Sequence, residues 1–125
     1  DTQIIINHTG LPSDRSEQGL AGWRDAMRRV AECPNVAVKI SGLGQKGQPW
    51  TAEANGPIIR DTIASFGVAR CMFASNFPVD SLVASFSTIF AGFQQVVADR
   101  SPAEQDDLFW GNAARIYRID LTERA

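Results

Sequence analysis

The chain has a single histidine, His8, placed just after the apolar run Ile4-Ile5-Ile6. A neutral imidazole there can bind a metal ion, accept a proton or donate a hydrogen bond; the competing role is a hydrogen-bonded residue that steadies the turn. Lys39 is one of two lysines and lies inside a second apolar run. Facing inward, its ammonium must be paired or lie near water, because an unpaired buried charge is too costly. It therefore serves either a substrate carboxylate or a structural ion pair. Asn76, in Ser75-Asn76-Phe77-Pro78, can orient a water or a substrate carbonyl through its amide dipole. Asp80 stands just before Ser81 and an apolar stretch, and reads as a helix cap. Trp50 either walls a substrate pocket or packs on a neighbouring helix. Gly10, Gly42 and Gly44 match neither dinucleotide nor P-loop spacing and read as turns.

The elements that must hold these groups follow from periodicity. Short apolar runs alternate three times with amphipathic stretches, the pattern of β-α units. Strands are predicted over 3–7, 36–40 and 70–74. Leu20, Trp23, Met27, Val30 and Ala31 recur at helical spacing, which predicts a helix over 17–32. A second helix is expected over 56–66, closed by Gly67, and a long third over 82–99 with an apolar stripe that begins at Leu82. Ser101-Pro102-Ala103-Glu104 has the capping-box order and starts another helix, which Gly111 is expected to interrupt before a last turn over 112–117. Strand alternation puts His8 in phase with Ile4 and Ile6, Lys39 with Ala37 and Ser41, and Asn76 with Met72 and Ala74. All three are therefore expected to face one interior near the strand ends.

Parallel strands joined by right-handed crossovers predict an α/β sheet covered on both faces. Three strands are few: a closed (β/α)8 TIM barrel takes about 250 residues and a doubly wound sheet about five or six strands. The 125 residues read as one unit of about three β/α repeats plus C-terminal helices, a partial barrel. Its strand edges call for a missing N-terminal half or a partner chain.

Composition excludes several classes of function. Twelve basic against fourteen acidic residues give a net charge of -2 with no basic stripe, so nucleic acid is not expected as a partner. No apolar run approaches the roughly 20 residues of a membrane span. Cys33 and Cys71 lie far apart without a Cys-x-x-Cys spacing, and read as free thiols. With no secretory signal in the opening residues, the expected location is cytoplasmic.

Four motifs carry a family resemblance: Asn7-His8-Thr9-Gly10-Leu11-Pro12, Val38-Lys39-Ile40-Ser41-Gly42-Leu43, Arg70 through Val79, and Trp110-Gly111-Asn112-Ala113-Ala114-Arg115-Ile116-Tyr117. In this order they resemble the carboxy-terminal half of the amidohydrolase-related family, which includes lactone hydrolases and related decarboxylases. The resemblance implies strands six to eight of a barrel, with the active site at their carboxyl ends. It places His8 on the family's sixth-strand histidine, a catalytic and metal-binding position. Asn76 falls where most members have an eighth-strand aspartate. An amide cannot take a proton from a metal-bound water as a carboxylate can, so Asn76 departs from the pattern. The histidine pair of the family's first strand has no counterpart here. The resemblance implies a hydrolase of a lactone or related small organic acid ester, with zinc or manganese as the cofactor, and an inactive fragment when this chain stands alone; Lys39 and Trp50 are candidate substrate-binding residues from their own types and positions. The competing readings are a noncatalytic β/α remnant that acts in protein association and a decarboxylase of the same family.

Overall fold

A computed structural model describes residues 2–122. Strands β1 (Ile4–Ile6), β2 (Val36–Ile40) and β3 (Cys71–Phe73) form one parallel sheet in the order β1-β2-β3. Helix α1 (Glu17–Ala31) joins the first two strands and α2 (Ala52–Phe66) the next two; α3 (Phe86–Val96), α4 (Pro102–Asp106) and α5 (Asn112–Ile116) follow.

The strand order never reverses, so successive right-handed crossovers land on the same side of the sheet. The large apolar cluster accordingly lies on that side, while Ala37 and Met72 on the opposite face are buried as well. Ile6, Val38, Ile40, Cys71 and Phe73 point to the face where Met27, Ile59, Ile63, Ile89 and Phe93 complete a single apolar cluster. Phe73 stacks on Phe93 with ring centroids 4.3 Å apart. The opposite face carries Ile5, Ala37, Lys39 and Met72, since Ile5 pairs with Ala37 and Lys39 with Met72. The register therefore separates the phase of Ile4 and Ile6 from that of Lys39 and Met72. Strand phase alone does not bring His8 to the side of Lys39.

Caps set the helix boundaries. Ser16 accepts from the Gly19 amide and starts α1, Ser85 accepts from Thr88 and starts α3, and Ser101 accepts from Glu104 and starts α4 as expected. Thr51 caps α2 through the Ala54 amide, so this helix begins before the expected start at Gly56. Leu82 is 89% exposed and lies in a 3-10 turn over Val79–Leu82, outside α3. The third helix starts later than expected because the Ser85 hydroxyl accepts from the Thr88 amide and caps it there. Gly111 does not interrupt the C-terminal helix: Asp107–Gly111 form one π-helical turn that runs on into α5. Asn112 anchors that segment, its buried amide donating to the carbonyls of Val68 (2.6 Å) and Cys71 (3.0 Å).

Candidate functional site

All three strands run in parallel, so His8, Ser41 and Asn76 follow β1, β2 and β3 at one edge of the sheet. β1 ends in a left-handed turn: His8, Thr9, Gly10 and Leu11 have φ of 52°, 57°, 71° and 54°. The Gly10 and Leu11 amides close it onto the carbonyls of Asn7 (3.0 Å) and His8 (2.7 Å). Each of its three non-glycine residues costs about 1–2 kcal/mol in this conformation, and such strain persists only where the surroundings enforce it. Here Thr9 is fully buried and its carbonyl accepts from Trp23 Nε1 at 2.8 Å. The turn lifts His8 out of the strand phase. This is the physical reason its side chain reaches across to β2.

The His8 imidazole is half-buried, with Nδ1 3.0 Å from the hydroxyl of buried Ser41. The hydroxyl can accept from a protonated Nδ1, leaving a lone pair on Nε2, or donate to a bare Nδ1, leaving Nε2 as a donor. Gly42 backs the ring: a Cβ there would lie 2.8 Å from both Cγ and Nδ1 of His8, and Gly42 itself has φ of 63°. Glycine is thus required twice, by the backbone and by the imidazole.

Asn76 occupies the end of β3 with φ of 54°, a conformation asparagine tolerates better than most residues. Its Nδ2 donates to Asp80 Oδ1 at 2.9 Å, and the Asp80 amide returns a bond to the Asn76 carbonyl at 2.9 Å. Asp80 is 6% exposed. The expectation that it caps the following helix is corrected, since Ser85 does so.

Lys39 is half-buried and makes no ion pair among the described residues. Trp50 is buried. Its indole packs against the backbone of Gly92 in α3 and meets Phe93 edge-on at 5.5 Å; one side also borders a small cavity with Leu43 and Gln48. A second cleft opens between the β1-α1 and β2-α2 loops, with Ser13, Arg15, Gln45 and Lys46 in its walls. Arg15 ties the loops together through the carbonyl of Leu43 (3.1 Å) and the side chain of Asn55 (3.2 Å), and burial pulls its pKa below the ordinary guanidinium value. Neither cleft is lined by His8, Lys39 or Asn76.

Among the described residues no three His, Cys, Asp or Glu side chains converge to hold a metal ion. His8 and Asn76 offer two donors, which do not complete a metal centre by themselves. Sequence reasoning passed over Ser41 as a partner and assigned Asp80 a capping role. A hydroxyl next to a glycine at a strand end was the available signal for the first, and the four-residue Asn-Asp spacing for the second.

A family model described as amidohydrolase matches residues 1–119. An uncharacterized protein of Sinorhizobium fredii is 48% identical over 95% of this chain and 40% of its own length. An L-fucono-1,5-lactonase of Burkholderia multivorans is 32% identical over 93% of this chain and 43% of its own length. The crystal structure of an amidohydrolase from Burkholderia multivorans with bound zinc superposes with a TM-score of 0.88 at 29% identity, over 95% of this chain and 45% of that one. The chain thus spans about two fifths of the length of these curated relatives, and its three β/α units are a partial barrel.

Proposed function

This chain belongs to the amidohydrolase family, and on that premise we propose that the protein carrying it hydrolyses a lactone or a related small organic acid ester, with His8 and Asn76 at the reacting centre. The observation that carries this reading is the His8 imidazole, held at the strand-end edge by Ser41 and Gly42 in a strained turn. Backbone strain of this kind clusters at active sites and ligand clamps, which supports a ligand-facing role for His8. The likeness to an L-fucono-1,5-lactonase supports a lactone as the substrate class.

With Ser41 donating to Nδ1, His8 Nε2–H is a donor to the ring carbonyl and to the oxyanion that forms on attack. With Ser41 accepting, Nε2 is a base or a metal donor. Asn76 holds the attacking water or the carbonyl but cannot take a proton. Lys39, without an ion pair among the described residues, suits the carboxylate released when the lactone opens. A divalent zinc or manganese ion would need donors from outside residues 2–122, and metal content of the purified protein tests for it.

The direct test assays the full protein against a panel of sugar-acid lactones, with and without zinc or manganese, alongside His8→Ala and Ser41→Ala. Loss of His8 should lower kcat/KM about 10²–10⁴-fold. Wild-type rates at background on every lactone would refute the reading, and carbon dioxide release from an aromatic acid would replace it with decarboxylation.

A further inference from the structure

We propose that Asp80 is a positioning residue for Asn76: it fixes the side-chain amide so that Oδ1, and not the NH2 group, is the edge offered to a ligand. The proposal rests on the reading of Asn76 as a site residue and narrows what it binds. A carboxylate oxygen has no hydrogen to give, so the amide edge turned toward Asp80 must be the NH2 group. The 2.9 Å bond from Nδ2 to Asp80 Oδ1 leaves Oδ1 as the outward edge. Bonds to charged acceptors are about twice as strong as neutral ones, and the reciprocal backbone bond closes the same four-residue turn. The arrangement therefore resists a flip of the amide.

Asp80 has no competing task. Among the described residues its carboxylate makes no ion pair and accepts from no side chain but Asn76, and α3 is capped by Ser85. A buried carboxylate is costly unless its hydrogen bonds are made, and here the bond made is the one that orients Asn76. The chemical consequence is specific. Asn76 accepts from an O–H donor, a water or a hydroxyl of a polyol substrate, and does not donate to a carbonyl oxygen. In the hydrolytic reading it holds the nucleophilic water, and the proton leaves to another group.

Two readouts test this on the full protein. In ¹⁵N-labelled protein without substrate, the Asn76 side-chain NH2 signals, identified by their loss in Asn76→Ala, should move markedly in Asp80→Ala. Unmoved signals would overturn the lock whether or not any lactone is turned over, so its failure is separable from failure of the proposed function. In the kinetic cycle, Asp80→Ala should lower kcat about tenfold with KM within about twofold, and the same change in an Asn76→Ala background should cost nothing further. Equal losses in both backgrounds would show a structural role only. Should Asp80→Ala fail to fold, Asp80→Leu keeps the bulk and removes both acceptor oxygens; the NH2 signals and the kinetic coupling should change in the same direction, and their absence would count equally against the proposal.

Discussion

Replacing Gly42 with alanine should disturb both stability and chemistry through one contact. The backbone there has φ of +63°, which costs a non-glycine residue about 1–2 kcal/mol. The new Cβ would sit 2.8 Å from His8 Cγ and Nδ1 and 3.0 Å from His8 Cβ. These atoms are at the root of the side chain, so no swing of a flexible tip relieves the clash. The ring must rotate and release Ser41, forfeiting about 0.5–1.5 kcal/mol, with some repacking besides. The expected total is about 2–4 kcal/mol in urea unfolding. Gly47 supplies the control: its φ is +77° and a Cβ there meets nothing within 4 Å, so Gly47→Ala should show the backbone cost alone, about 1–2 kcal/mol. If His8 acts in the reaction, a ring displaced by about 1 Å lowers kcat by about 10² in Gly42→Ala and leaves Gly47→Ala near wild type. Equal stability and equal rates for the two variants would refute both the contact and the role of His8.

Cys71 gives a pH signature. Burial pushes its thiol up from 9.0 to about 12, so between those values the unfolded chain releases a proton that the folded chain keeps. The stabilisation is fully present below pH 9 and declines as pH rises toward 12, by up to about 1.4 kcal/mol per unit. Urea midpoints from pH 8 to 11 should fall more steeply in wild type than in Cys71→Ala, and parallel slopes would contradict the assignment. In the folded protein, iodoacetamide should label exposed Cys33 and spare Cys71; mass spectrometry checks this. Asn112→Asp replaces a buried NH2 that serves two carbonyls with an acceptor facing acceptors, and should cost about 3 kcal/mol or more in urea unfolding; a loss under about 1 kcal/mol would mean the anchor is dispensable. Gly92→Ala drives a Cβ into the Trp50 indole, 2.7 Å from Cη2, and should destabilise by about 1–3 kcal/mol as read by thermal melting. Trp50→Phe tests the substrate-binding proposal for that residue: a raised KM at unchanged kcat supports a pocket wall, and lowered stability at unchanged kinetics supports packing alone.

Much of the fold was legible from local rules. β2 was placed to the residue because Val36 through Ile40 are bounded by Pro34-Asn35 and Ser41-Gly42, and Ser101-Pro102 announced α4 by cap chemistry alone. Boundaries failed where two signals competed. The second helix was expected from Gly56, but the Thr51 hydroxyl, five residues earlier, caps it and leaves Pro57 inside it. Leu82 joined the apolar stripe by spacing, yet Ser85 starts α3 and leaves Leu82 in solvent. Gly111 looked like a break because propensity does not register a π-helical turn, which absorbs the residue without ending the helix.

The sequence by itself determined the chemistry available and its rough placement: one histidine at a strand end, an amide where the family resemblance implies a carboxylate, three β/α units in order, and the caps that start most helices. These follow from residue type and short-range spacing, which the chain carries locally. Only the tertiary structure decided which groups meet. Strand alternation put His8 and Lys39 in one phase, but register placed their strand neighbours on opposite faces, and the left-handed turn after β1 then carried His8 across to Ser41. Asp80 passed from helix cap to partner of Asn76 for the same reason. A hydrogen bond between strands, or across a turn with positive φ, depends on backbone dihedrals that the surrounding packing enforces, and no local pattern in the sequence encodes that enforcement.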